Sequence, residues 1–359
     1  MKLYTIGPVE MYPSTKIIRD KGFVHFRTNE FSKIVNDTLK ELAAMMGVKD
    51  ENSLIYLASS GTGAMEATVE NCVTKNDKAL VIDGGAFGHR FCKLLDWHKI
   101  PNDFIKLKWN ETLTKEHLSN YENKGYTVLF VNLHETSSGQ LYNIKMLSEF
   151  CKRNNMLLIV DAISTFLADE YNMDKYGIDL TIISSQKGLC LSPGMSIVAF
   201  SSRMKERIKN NPIPVSLYFD FKDYLINIPR GQTPFTPPVC IMYELQDMLR
   251  LINSEGGIEA RLKSVKEKCD YFRDKVKKLG LKIPDYPKSN MLTPILLEDV
   301  SAYEVIQVLK DKYRLFVNPC GGELADKLLR VSHIGNTTIS DINDLLEKLL
   351  LSIEEVRSR

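Results

Sequence analysis

Two rhythms alternate along most of the chain. Short, nearly continuous apolar runs at 54–58, 78–82, 104–107, 126–131, 156–160, 180–184 and 195–200 have the length and make-up of buried strands. Between them apolar residues recur at spacings of three and four, as in Phe31, Ile34, Val35, Leu39, Leu42 and Ala43. That spacing predicts helices over 29–46, 64–72, 88–97, 114–121 and 143–154. Continuously apolar strands alternating with amphipathic helices predict a mostly parallel sheet covered on both faces, an α/β architecture.

The rhythm changes at three places. Residues 1–15 read as extended, because Pro8 and Pro13 discourage helix. Residues 205–240 carry Pro212, Pro214, Pro229, Pro234, Pro237 and Pro238 among aromatics, and read as a long functional or interfacial loop. From 239 to 279 the pattern is helical, broken near Gly256-Gly257, and suits a connection between domains. Beyond it the alternation resumes on a smaller scale. A strand at 292–297 with Pro294 near its start suggests an edge position. A helix at 301–313, strands at 315–317 and 328–332 and a helix from 340 follow. Single cores stop growing at roughly 250–300 residues. The expected division is therefore an N-terminal arm (1–15), a large domain (16–249) and a small C-terminal domain (250–359).

Composition narrows the function classes. Apolar residues at 44% and charged residues at 26% are those of a soluble globular protein. Lys+Arg at 47 nearly balance Asp+Glu at 45, and no block of like charge stands out, so no nucleic acid or membrane partner is expected. The seven cysteines are scattered and never form a C-x-x-C pair. That argues against a disulfide framework or a zinc site. No apolar run suits a signal peptide or approaches the ~20 residues of a membrane helix, so a cytoplasmic location is expected.

Ligands of open α/β sheets bind outside the carboxyl ends of the strands, so the residues that follow each apolar run belong together. Ser60-Gly61-Thr62 offers N–H groups and a helix start to an anion, or is a plain capping turn. Phe87 among glycines is a stacking platform or a packing residue. The 132–139 segment is rich in hydroxyls and holds no Lys or Arg. Asp161 ends an apolar run and needs a hydrogen-bonding or cationic partner if buried. Lys187 either opens a solvated loop or is a desolvated amine able to form a Schiff base. An anion cradle, an aromatic plate, hydroxyls, a carboxylate and an amine are what pyridoxal 5′-phosphate requires. A nucleotide would want a Walker or G-x-G-x-x-G loop, which is lacking. A catalytic metal would want clustered ligands, and the six histidines are scattered; none is expected.

Several motifs occur in order: Gly7-Pro8-Val9-Glu10, 60–67 (SGTGAMEA), 85–90 (GAFGHR), 135–139 (ETSSG), 160–164 (VDAIS), 185–189 (SQKGL), 235–239 (FTPPV) and 330–335 (RVSHIG). The ordered set resembles the class V aminotransferases of fold type I, in the branch of alanine–glyoxylate, serine–pyruvate and 2-aminoethylphosphonate–pyruvate transaminases. The resemblance implies a mostly parallel seven-stranded sheet in the large domain and a smaller α+β domain. It implies that Lys187 binds the cofactor covalently and moves protons, and that Asp161 pairs with the pyridinium nitrogen. Phe87 would stack on the ring, Thr136 would reach its hydroxyl, and Ser60, Gly61, Thr62 and Gln186 would hold the phosphate. Thr236 would reach the phosphate of a neighbouring subunit in a homodimer, and Arg330 would clamp a substrate carboxylate.

Two positions depart from the pattern. Val331-Ser332-His333 separates Arg330 from Ile334 where many relatives have Arg-Ile-Gly, which makes His333 a substrate-side candidate or a strand residue. Thr233 stands where some relatives carry Tyr. Arg27 resembles a basic position of phosphonate-handling members, or is a surface residue. The expected activity is a transaminase acting on a small donor (alanine, serine, aspartate or 2-aminoethylphosphonate) and a small 2-oxo acid (pyruvate or glyoxylate). The rivals are another enzyme of this fold, such as a β-lyase or a cysteine desulfurase using Cys320, and a non-catalytic cofactor-binding scaffold.

Overall fold

The computed structural model describes residues 1–359, the side chain of Glu51 excepted. In chain order the first half comprises β1 (Lys2–Tyr4), α1 (Pro13–Lys16), α2 (Asn29–Met46), β2 (Leu54–Leu57), α3 (Gly61–Cys72), β3 (Ala79–Asp83), α4 (Gly88–Trp97) and β4 (Asn102–Lys106). Then come α5 (Lys115–Ser119), β5 (Val128–Asn132), the short hairpin β6 (His134–Glu135) and β7 (Gln140–Leu141), α6 (Ile144–Arg153), β8 (Leu157–Asp161), β9 (Leu180–Ser184) and β10 (Ser196–Phe200). Helices α7 (Ser202–Asn210), α8 (Phe221–Asn227), α9 (Val239–Ser254) and α10 (Gly257–Lys278) lead to β11 (Leu292–Leu296), α11 (Ala302–Tyr313), β12 (Leu315–Pro319), β13 (Leu328–Ser332) and α12 (Ile339–Arg357).

Seven strands form one sheet in the order β2-β10-β9-β8-β5-β3-β4. All pairings are parallel except those of β10. Successive side chains of a strand point to opposite faces, and the apolar strands accordingly feed two cores. Leu129 and Val131 of β5 pack with α2, α6 and α9 on one face. Val128 and Phe130 pack with α3, α4 and α7 on the other. This is the mostly parallel, doubly covered sheet expected from the continuous apolar runs.

A second sheet of order β1-β12-β13-β11 packs against α11, α12 and the end of α10 around Phe272, Leu309, Leu329 and Leu345. Its edge strand β11 carries Pro294, as a missing N–H requires. The break between α9 and α10 falls at Gly256 and Gly257, both at positive φ, where a side chain would be strained.

Three readings change. The 205–240 stretch is no structureless loop: it holds the end of α7 and all of α8, capped by Ser201 and Asp220. Only Met204 and Ile208 of α7 are buried, so its apolar stripe was too thin to register. The extended N-terminus contains α1, with Pro13 in the first turn, where its lost N–H is harmless. Helix α3 begins at Gly61, three residues before the apolar pattern, because the Ser60 hydroxyl caps it by accepting the Gly63 N–H at 3.2 Å.

At the start of α4, a Cβ on Gly88 would overlap the backbone carbonyl of Ile82, which cannot yield. Gly88→Ala should therefore lower unfolding free energy by about 1–3 kcal/mol in urea denaturation. Gly321→Ala, with nothing within 4 Å, should leave it nearly unchanged.

Candidate active site

The carboxyl ends of β2, β3, β5, β8 and β9 open on one cavity lined by Ser60, Gly61, Thr62, Phe87, Asn132, Thr136, Asp161, Gln186 and Lys187. Residues from five separate strand ends thus meet at one sheet edge. The N-terminus of α3 presents unsatisfied first-turn N–H groups and the positive end of its dipole. The Arg90 guanidinium donates to Thr62 Oγ1 at 2.8 Å and lies 4.8 Å from the centre of the Phe87 ring. Gln186 Oε1 accepts from Ser184 Oγ at 2.6 Å, which orients the amide and leaves its NH₂ to donate.

Register places the carboxylate at the other end. Asn132 of β5 lies opposite Asp161 of β8, and its amide donates to Asp161 Oδ2 at 2.8 Å. The Ile163 N–H donates to Oδ1 at 2.9 Å. Asp161 is only 1% exposed. Burial pushes its carboxyl up to about 6, against the pull of these two donors and of Lys187. Among the described residues the Lys187 ammonium has neither an ion pair nor a hydrogen bond. Burial, aided by the field of Arg330, lowers it to about 8, while Asp161 acts the other way. Its stem packs on Gly7, where a Cβ would lie 2.9 Å from Lys187 Cδ.

The buried Glu135 carboxylate fixes the aromatic plate. It accepts the N–H groups of Phe87 at 3.3 Å and Gly88 at 3.0 Å, and the Ser137 hydroxyl, so the start of α4 is tied to the β5 side. Thr136 Oγ1 is hydrogen-bonded to Ser164 Oγ at 2.8 Å. Beneath them His134 Nδ1 bonds the Ser164 carbonyl at 2.7 Å, and burial lowers this imidazole to about 3, so it is neutral and donates. Arg330 on β13 stands beside the cavity, its guanidinium donating to the carbonyls of Thr136 and Pro319. Its Nε is buried without an acceptor.

Other expected residues lie elsewhere in this chain. Thr236 is exposed and does not line the cavity. Arg27 clamps the 232–234 loop, donating to Gln232 Oε1 at 3.0 Å and to the carbonyls of Thr233 at 2.8 Å and Pro234 at 3.1 Å. Thr233 itself turns back to the Phe235 carbonyl at 2.7 Å. His333 is a core residue, with Nε2 on Thr293 Oγ1 at 2.8 Å and its ring against Phe272. Asn132, Arg90 and Ser164 join the site without having been singled out, and only the strand register and the approach of loops identify them.

Residues 17–345 match the family described as Aminotransferase class-V. The chain belongs to the class-V aminotransferases. It is 30% identical over 365 residues to an uncharacterized aminotransferase of Helicobacter pylori, covering 100% of this chain and 95% of that protein. It is 24% identical to the L-aspartate–glyoxylate aminotransferase of Paracoccus denitrificans, covering 94% and 87% of the two chains. The alanine–glyoxylate aminotransferase structure from Nostoc superimposes with a TM-score of 0.91 at 26% identity, over 98% of this chain and 94% of that one.

This class-V aminotransferase is a pyridoxal-phosphate-dependent transaminase with an amino donor and a 2-oxo acid as substrates. The residues present fit that cofactor. A buried carboxylate without a fixed cation in contact suits a protonated ring nitrogen, and an unpaired amine of lowered pKa suits an aldehyde. The α3 N-terminus suits a phosphate.

The Asp161 shift makes a pH prediction for the cofactor-free aminotransferase. Its folded-state pKa lies above the unfolded value, so this contribution to stability is full below about pH 4 and is lost as pH rises through about 6. Asp161→Asn should remove that fall, so that its stability changes less between pH 4 and pH 7 than that of the natural chain. Urea midpoints measured across pH 4–8 check it; parallel curves for the two proteins would refute the assignment.

Proposed function

We propose that the chain moves an amino group from a small donor, such as alanine, serine, aspartate or 2-aminoethylphosphonate, to pyruvate or glyoxylate. The observation that carries this reading is the convergence of Lys187, Asp161 and the α3 N-terminus on one cavity beside Arg330. The cofactor supplies an aldehyde that condenses with amines and a ring that delocalises the electron pair left at Cα.

The chain's own residues do the rest. Ser60, the first turn of α3 and Gln186 would hold the phosphate, and Arg90 adds a positive charge at Thr62. Asp161 would keep the ring nitrogen protonated, Phe87 would cover a ring face, and Thr136 would lie near the ring hydroxyl. Lys187, with a pKa near 8, can both take and return a proton near neutral pH. Arg330 spends two N–H groups on backbone carbonyls, which fixes its plane, and its unpaired Nε–H and remaining hydrogens are free for a carboxylate.

Within this reading the chain works as a cytoplasmic homodimer, with Thr236 serving the neighbouring subunit's phosphate. The exposed Ile213, Val215, Leu217 and Ile226 supply apolar surface for that contact. Residues 16–249 form the cofactor-binding part and 250–359 the part carrying Arg330. A desulfurase reading is disfavoured by Cys320, which is buried and donates its thiol to the Ser137 carbonyl at 3.3 Å. Burial also raises its pKa.

Mixing the purified holoenzyme with each candidate donor should bleach the visible absorbance of the bound cofactor for at least one of them. No bleaching with any donor refutes the substrate reading. Lys187→Ala should lose the covalent attachment and at least about 10²-fold in turnover; retained turnover would sink the role of Lys187. Arg330→Lys should raise KM for carboxylate donors by about 10–100-fold, since it loses the bidentate fork.

A further inference from the structure

A second cavity of about 190 Å³ lies behind the loop that follows Lys187. Tyr12, Gly188, Cys190, Arg261, Lys268 and Gly335 form its walls. Arg261 is 5% exposed. Its Nη1 donates to Tyr12 Oη at 2.6 Å and its Nη2 is ion-paired with Glu255 Oε2 at 2.5 Å, while Nε is buried without an acceptor. A guanidinium cannot shed its charge, so the buried Nε–H stays unpaired unless something enters. The Lys268 ammonium reaches only the Gly335 carbonyl, at 3.4 Å.

The charge balance of the walls favours an anion. Two cations face one carboxylate, Glu255, which pairs with Arg261 Nη2 and leaves one positive charge in excess. Burial raises the Cys190 thiol and pushes the Tyr12 phenol up to about 12, so both remain neutral. A cation would be repelled here, and an apolar ligand would leave the donors orphaned.

We propose that this cavity binds a small oxyanion, inorganic phosphate or a small carboxylate, held by Arg261 and Lys268. The site is separate from the cofactor cavity and shares no lining residue with it. It touches the segments that place the reacting groups. Gly188 and Cys190 follow Lys187, and the Cys190 N–H donates to the Lys187 carbonyl at 2.9 Å. Gly335 ends the segment that carries Arg330, and Tyr12 belongs to the arm whose Gly7 packs on the Lys187 stem. An anion between them braces α10 against all three, and acts as an effector of a site it does not enter.

Titration calorimetry on the holoenzyme, whose own phosphate cradle is filled, tests this with inorganic phosphate in one arm and acetate in the other. Saturable uptake is expected, with a melting temperature that rises with anion concentration. Lys268→Met and Arg261→Gln should each weaken uptake by about tenfold or more, the loss of a charge-assisted hydrogen bond. Lys268 is only partly buried, so its variant decides the matter if Arg261→Gln does not fold. Saturation by phosphate alone identifies a phosphate ligand, and saturation by both a general oxyanion site. No uptake by the natural chain, or equal uptake by the chain and Lys268→Met, overturns the proposal.

Discussion

A carboxylate buried at the end of a central strand is costly unless a positive partner is supplied, and the site is arranged around that cost. Asp161 receives two neutral donors, Asn132 and the Ile163 N–H, which hold it in place without neutralising it. Lys187 is the mirror case: an amine held among positive neighbours, Arg330 and Arg90, which lower its affinity for a proton. The same desolvation that makes each group expensive makes it reactive.

Rigidity around these two groups comes from backbone contacts that admit no side chain. Gly88 lies on the Ile82 carbonyl, Gly188 on the Phe166 carbonyl, and Gly7 on the Lys187 stem. These three motif glycines therefore answer to close approaches between segments. Glu135 does similar work with charge, since its buried carboxylate gathers N–H groups from the start of α4 and from Ser137. The plate, the hydroxyls and Arg330 are thereby referred to one frame.

The two cavities show opposite solutions to buried charge. In the first, one acid and one amine face each other at a distance, and in the proposed reading pyridoxal phosphate would complete both. In the second, Arg261 and Lys268 outnumber Glu255, and the proposed oxyanion completes them. Both lie against the Lys187 loop, so electrostatic changes in either are felt at the same short segment.

The sequence by itself determined the architecture and the principal chemical groups. Short continuous apolar runs alternating with amphipathic helices fit strands of a covered sheet, and the residues that follow such runs gather at one sheet edge; this is why Asp161, Lys187 and Ser60-Gly61-Thr62 stood out as candidates, although the run at 104–107 proved to be the exposed edge strand β4. The helices of the 205–240 stretch were not, because α7 and α8 bury few residues and their caps, not their periodicity, define them. Nor were the partners of the reacting groups. Asn132 meets Asp161 through strand register, Arg90 meets Thr62 through the approach of two helix starts, and His333 and Arg27 are turned to the core and to the 232–234 loop. These are contacts between residues far apart in the chain. One-dimensional spacing reports which face of its own element a residue occupies, and only the packing of elements decides what stands opposite.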